Sequence, residues 1–184
     1  MPHICMRPFA DRALAGRELA LLLLLYRYRR DSVVVALPSS GVPVAFEVAH
    51  RLGLPLDVLI AADERMELQR RERMYHAGRR ALDLRGRIVI LVDDGADMDS
   101  RVHGVVNEIR KMDVQEIVVA LPVASIQAYE QLRNEVERVV CIGTPEPFNS
   151  VSAWYDDFPE VSDSDILRLL ISAGQERVGD GVTK

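Results

Sequence analysis

What the chain lacks narrows what it can be. Lysine occurs only at Lys111 and Lys184, against 21 arginines, and acids outnumber bases for a formal charge of -5. A general nucleic-acid binder carries a basic balance, so that class is excluded. Cysteine occurs twice, at Cys5 and Cys141, which supplies neither a disulfide framework nor zinc-ligand spacing. Cys141 lies in the apolar run "VERVVCIG" and reads as a small buried hydrophobe. A reducing cytoplasm fits that usage. The four histidines, His3, His50, His76 and His103, are scattered without metal spacing. No apolar run is long enough to cross a membrane. The longest, "LALLLLLY" from Leu19 to Tyr26, has eight residues, where a span needs about 18. "RYRR" follows it in place of a small-residue cleavage site, so it is no signal peptide either, and a buried face of the first helix is expected.

What is present is a mixed apolar and charged chain of 184 residues, enough for one domain with a real core. A single domain over residues 1–176 is expected, with 177–184 as a flexible tail. Helical character runs from Asp11 to about Arg30. Then come a short β-branched strand, "SVVVALP", and a helix, "VPVAFEVAHRLG", that stops at Gly53. "LPLDVLI", "RGRIVILVDD", "EIVVALPV" and "ERVVCIG" read as four further strands, with helices from about Ser100 to Met112 and from Ser125 to Glu135 between the later ones. "SDSDILRLLISAG" opens on an N-cap signal and forms a last helix. The strands are continuous apolar runs alternating with helices. That pattern predicts an α/β fold, a parallel five-stranded sheet with helices on both faces. Ligands of such sheets bind beyond the carboxyl ends of the strands, so "PSSG", "DDGADMDS", "PVAS" and "TPEPF" are the loops to watch.

Eight arginines fall between Arg65 and Arg87 against three acids. They form either a solvated helix face or an anion-facing segment. The loop after the third strand is the most informative. Two acids at a strand end, then a turn and a helix, can hold a ribose or a magnesium ion while the turn's amides hold a phosphate. They can equally be solvated caps of the helix. In this turn Asp97 and Asp99 add two more negative charges. Trp154 and Tyr155 either cap the sheet edge or form a wall for a flat base, and Trp154 is expected to be largely buried against the sheet or a dimer partner.

Four blocks, "FADRALAGRELA", "VVVALPSSGVPVAFEVAHRLGLPLDVL", "RRERMYHAGRRALDLRGRIVILVDDG" and "TPEPFNSVSAWYDDF", occur in the order seen in a bacterial group of type I phosphoribosyltransferases, and nearly the whole chain resembles that group. The resemblance implies a Rossmann-type phosphoribosyltransferase-like fold. It also implies transfer of ribose 5-phosphate between phosphoribosyl pyrophosphate and a nucleobase-like nitrogen, with magnesium that no protein group ligates directly, if the chain is active. By position, Asp93 and Asp94 match the ribose acids, and Gly95, Ser100 and Arg101 fall in the phosphate turn. Ser39, Ser40 and Gly41 match the pyrophosphate loop. Arg73, Tyr75 and Arg79 border the flap, and Asp97 stands where purine-using members keep a catalytic base.

The departures from the group all fall in the working parts. Met98 and Arg101 stand for turn hydroxyls, Asp99 for a glycine, and Ser39 and Ser40 for an Arg-Gly pair. Only "IAADERMELQ" joins the second strand to the flap block, where relatives carry a longer hood. Three altered parts imply a site given up or repurposed. The expected partners are phosphoribosyl pyrophosphate or a nucleotide, with a homodimer allowed. The alternative is a silent relative with a regulatory, nucleotide-sensing or structural role.

Overall fold

The computed structural model describes residues 6–59 and 82–179. Arg73, Tyr75 and Arg79, with the arginine-rich segment as far as residue 81, lie outside the described residues, and the flap expectation lies there with them. Five strands, β1 (Ser32–Ala36), β2 (Leu56–Val58), β3 (Ile88–Val92), β4 (Glu116–Val123) and β5 (Arg138–Gly143), form one sheet in the order β2-β1-β3-β4-β5. Every pairing is parallel, with Val35 opposite Leu91 and Leu91 opposite Val119.

The helices are α1 (Arg12–Leu22), α2 (Val42–Leu52), α3 (Val102–Arg110), α4 (Ile126–Glu135) and α5 (Asp163–Gly179). Side chains alternate across the strands. Val34, Ala36, Ile90, Val118 and Ala120 pack under α1, α2 and α5, while Val33, Val35, Val89, Leu91, Val119 and Leu121 pack under α3 and α4. Burial on both faces is why these strands read as unbroken apolar runs.

Two helices differ from expectation. α1, with helical character expected to about Arg30, ends at Leu22, tightens into a 3-10 turn over Leu24–Tyr26, and reverses at Tyr28, whose φ is 58°. The Tyr28 amide then bonds the carbonyl of Leu52 at the end of α2. The chain has to turn there to enter β1. α5 extends past Gly174 to Gly179, through the helix-favouring residues Gln175, Glu176 and Arg177.

The strand order decides where a ligand can sit. The chain leaves β1 towards β2 on one side and returns to β3 on the other. The crevice between the loops after β1 and β3 is therefore the switch point of the sheet.

Candidate functional site

The loops after β1 and β3 meet at that switch point. β3 hands the chain to Asp93 and Asp94. Gly95 follows, and Ala96 makes one more parallel bridge to Ala124. The loop after β1, Pro38 to Gly41, lies against these acids. A Cβ on Gly41 would stand 2.7 Å from Asp93 Oδ1 and 2.9 Å from the Leu37 carbonyl, so only glycine lets the loop come this close. Ser40 Oγ donates to Asp94 Oδ1 at 3.2 Å, and Arg101 Nη2 reaches the Pro38 carbonyl at 3.4 Å. Asp93, Asp94, Ser40, Gly41 and Arg101 are thus brought together.

Asp94 is buried and both its carboxylate oxygens are engaged. Oδ2 accepts from Arg12 Nε at 2.9 Å while Oδ1 takes Ser40. Arg12 is itself buried. It lies 3.6 Å over the Phe158 ring and donates from Nη1 to the Pro159 carbonyl at 2.8 Å. The Tyr155 hydroxyl donates to the Asp94 backbone carbonyl, and burial pushes that phenol's pKa upward. Tyr155 stacks obliquely between Phe9, at 5.5 Å, and Phe158, at 5.0 Å. Asp94 is therefore the knot that ties α1 and the C-terminal block to the end of β3.

Asp93 is different. Burial, then the neighbouring Asp94 carboxylate, raise its pKa well above the usual carboxylate range, and Arg101 offsets this only in part. Its Oδ1 accepts from the Asp94 amide at 2.9 Å. As a magnesium site this pair fits poorly. Both Asp94 oxygens are already engaged, by Arg12 and by Ser40, and that carboxylate neutralises a buried guanidinium.

The turn that follows is closed on itself. Asp97 Oδ1 accepts from the Asp99 amide at 3.1 Å, and the Asp97 carbonyl accepts from the Ser100 amide at 3.2 Å. Ser100 Oγ accepts from the Val102 amide, also at 3.2 Å. Asp97, Met98 and Asp99 are exposed, Met98 at 53%. Gly95 points away from this turn: a Cβ there would meet Val151 Cγ1 at 2.7 Å and the Val123 carbonyl at 2.9 Å, so it is pinned beneath β4 and the C-terminal block. Ser39 lies in the loop after β1 and its carbonyl accepts from the Val42 amide. Trp154 is partly buried rather than enclosed. It packs with the Phe9, Val123 and Tyr155 cluster, and its indole N–H is shielded from solvent without an acceptor among the described residues.

Sequence reasoning missed Arg12, although it lies in one of the quoted blocks. A local signal existed. A cation in the first turn of a helix opposes the helix dipole, so something else must hold it there.

The family described as phosphoribosyl transferase domain matches residues 12–157 of the chain. A Mycobacterium tuberculosis H37Rv protein that carries phosphoribosyl transferase as a provisional name is 30% identical over 214 aligned positions, covering 93% of this chain and 48% of its own. This chain thus spans about half the length of the curated relatives it matches. The aligned stretch exceeds the length of this chain, so the relative carries residues there without a counterpart here. A crystal structure of a Thermus thermophilus protein superposes with a TM-score of 0.83 at 31% identity, covering 91% of this chain and 99% of that one. The purine phosphoribosyltransferase of Pyrococcus horikoshii shares the fold alone, with a TM-score of 0.53, 20% identity, and coverage of 82% and 92%. No helix among the described residues is long and apolar enough to cross a membrane.

Proposed function

This chain belongs to the phosphoribosyl transferase family, and from that premise we propose that its site is closed to phosphoribosyl pyrophosphate, leaving a catalytically silent protein of the fold with a regulatory, nucleotide-sensing or structural role. One observation carries this reading. The amides of Asp99 and Ser100, in the turn before α3, and of Val102, its first residue, are taken by the oxygens of Asp97 and Ser100. The start of a helix attracts anions, and here the turn meets these amides with its own oxygens, one from the Asp97 carboxylate, one from the Asp97 carbonyl and one from the Ser100 hydroxyl. Asp97 and Asp99 also repel an incoming phosphate dianion. The loss of the pyrophosphate-loop arginine at Ser39, and the engagement of Asp94 by Arg12, point the same way.

The second reading is the family's own reaction, transfer of ribose 5-phosphate between phosphoribosyl pyrophosphate and a nucleobase-like nitrogen, with magnesium. What favours it is that Asp93, Asp94 and the Gly41 loop remain assembled at the switch point.

Calorimetry separates the two. The unmodified chain, titrated with phosphoribosyl pyrophosphate and magnesium and with a panel of nucleoside monophosphates, is expected to bind the former weakly or not at all. Met98→Thr, Asp99→Gly and Arg101→Thr, combined with Ser39→Arg, are expected to gain magnesium-dependent binding. Each restored charged hydrogen bond is worth about 1.5–3 kcal/mol, and about 1.4 kcal/mol is tenfold in affinity. Micromolar binding by the unmodified chain would overturn the closed-site reading and make Asp97 the leading candidate for a working base.

A further inference from the structure

A cavity of about 370 Å³ opens between the starts of α1, α2 and α5 and the C-terminal block. It is separate from the crevice between the loops after β1 and β3, since none of Ser39, Ser40, Asp93 and Arg101 lines it. Small-molecule sites run from roughly 300 to 1,000 Å³, so its volume suits a small ligand. Three kinds of group line it. Pro43, Val161 and Leu169 form an apolar wall. Asp11, Asp157 and Glu160 bring three carboxylates that make no ion pair among the described residues, whereas Asp165 is taken by Arg168 at 2.8 Å. The third is Arg12, which is only 6% exposed. Its Nε and Nη1 are spent on Asp94 and on the Pro159 carbonyl, but Nη2 makes no hydrogen bond among the described residues. A guanidinium donates and cannot accept, so that buried nitrogen calls for an acceptor.

We propose that this cavity binds an apolar α-amino acid, with its carboxylate on Arg12 Nη2, its ammonium at the acidic rim and its side chain against the apolar wall. An acidic rim alone would suit any cation. A buried donor beside that rim, over an apolar wall, asks for an acceptor, a cation and a hydrocarbon stem in one small molecule, which is the make-up of such an amino acid. A phosphate-bearing ligand is turned away by the three carboxylates. A simple amine leaves Arg12 Nη2 unanswered. The guanidinium that meets the ligand also holds Asp94, so the amino acid sits behind the knot at the end of β3. The inference goes beyond the reading of the crevice and does not depend on whether phosphoribosyl pyrophosphate binds there.

Calorimetry on the whole chain with L-leucine, L-methionine and L-phenylalanine tests it. At least one is expected to bind saturably at a single site, with a Kd below about 1 mM. Isoamylamine is leucine without its carboxylate, and isocaproate is leucine without its ammonium. Each is expected to bind at least about tenfold more weakly than leucine. Asp157→Asn with Glu160→Gln removes two exposed charges that make no side-chain hydrogen bond among the described residues. It is expected to leave the far-UV circular dichroism unchanged, to weaken leucine about tenfold and to strengthen isocaproate. Asp156→Asn, exposed and outside the cavity, is expected to change neither. Absence of saturable binding by all three amino acids overturns the proposal. Isoamylamine binding as tightly as leucine overturns it too, because Arg12 would then play no part. So does leucine binding indifferent to the loss of Asp157 and Glu160, or equally weakened by Asp156→Asn.

Discussion

A guanidinium buried in the first turn of a helix opposes the helix dipole, and Arg12 is held there by Asp94, Phe158 and the Pro159 carbonyl together. Arg12→Ala leaves the Asp94 carboxylate buried without its counter-charge. It is expected to cost about 3–5 kcal/mol in urea denaturation. Adding Asp94→Asn should recover a large part of that loss, because the orphaned charge is then gone. A single-mutant cost below about 1 kcal/mol, the range of an exposed pair, would show that Asp94 is not buried in solution. Asp93 gives the opposite signature. Its folded pKa lies above the unfolded value, so the native state keeps a proton that the unfolded chain has released. Its contribution to stability is present below the unfolded value near 4 and is lost as pH rises through the folded one, at about 1.4 kcal/mol for each pH unit between them. Asp93→Asn removes the ionisation while keeping an oxygen for the Asp94 amide. Melting temperatures from pH 4 to 8 should fall with pH in the parent and much less in this variant. Parallel profiles would refute that account. The two acids are visible in the sequence as a pair, but their division of labour is not. It depends on Arg12, which lies 82 positions away.

The same contrast holds for whole elements. The strands are legible because burial on both faces makes them continuous β-branched runs, and "SVVVALP" and "IVILV" fall on β1 and β3. Ser125 is legible as the start of α4, and its Oγ accepts from the Ala128 amide at 3.1 Å. The end of α1 is not legible. Leucine favours helix at every position it occupies in "LALLLLLY", and the stop is imposed by the Tyr28 bond to α2. Nor does composition reveal how closely α1 and α2 approach. A Cβ on Gly16 would stand 2.6 Å from the Val44 carbonyl and 2.8 Å from Glu47 Cβ. Helix propensity alone makes Gly16→Ala favourable by up to about 1 kcal/mol. The clash with backbone reverses the sign, for a net loss of about 1–3 kcal/mol. Because each kcal/mol moves Tm by about 2–4 °C at this size, scanning calorimetry should detect the loss. A variant melting at or above the parent would mean that the helices can part without penalty.

At the scale of the molecule, the parallel sheet follows from the alternation of strands and helices, and ligands of such sheets bind at the edge formed by the carboxyl ends of the strands. What cannot be read are the long-range ties across that edge, since nothing local encodes a contact between residues 12 and 159. Those ties bear on how the protein is made. During synthesis β1 and β2 can pair early, but the knot at Asp94 draws on Arg12 from the first helix, Tyr155 from the C-terminal block and the carbonyl of Pro159. Contacts of such separation are slow to form. Until residue 159 has left the ribosome, Arg12 and Asp94 meet without the ring and the carbonyl that seal them, so the carboxyl end of the sheet cannot become native before the C-terminal block has emerged.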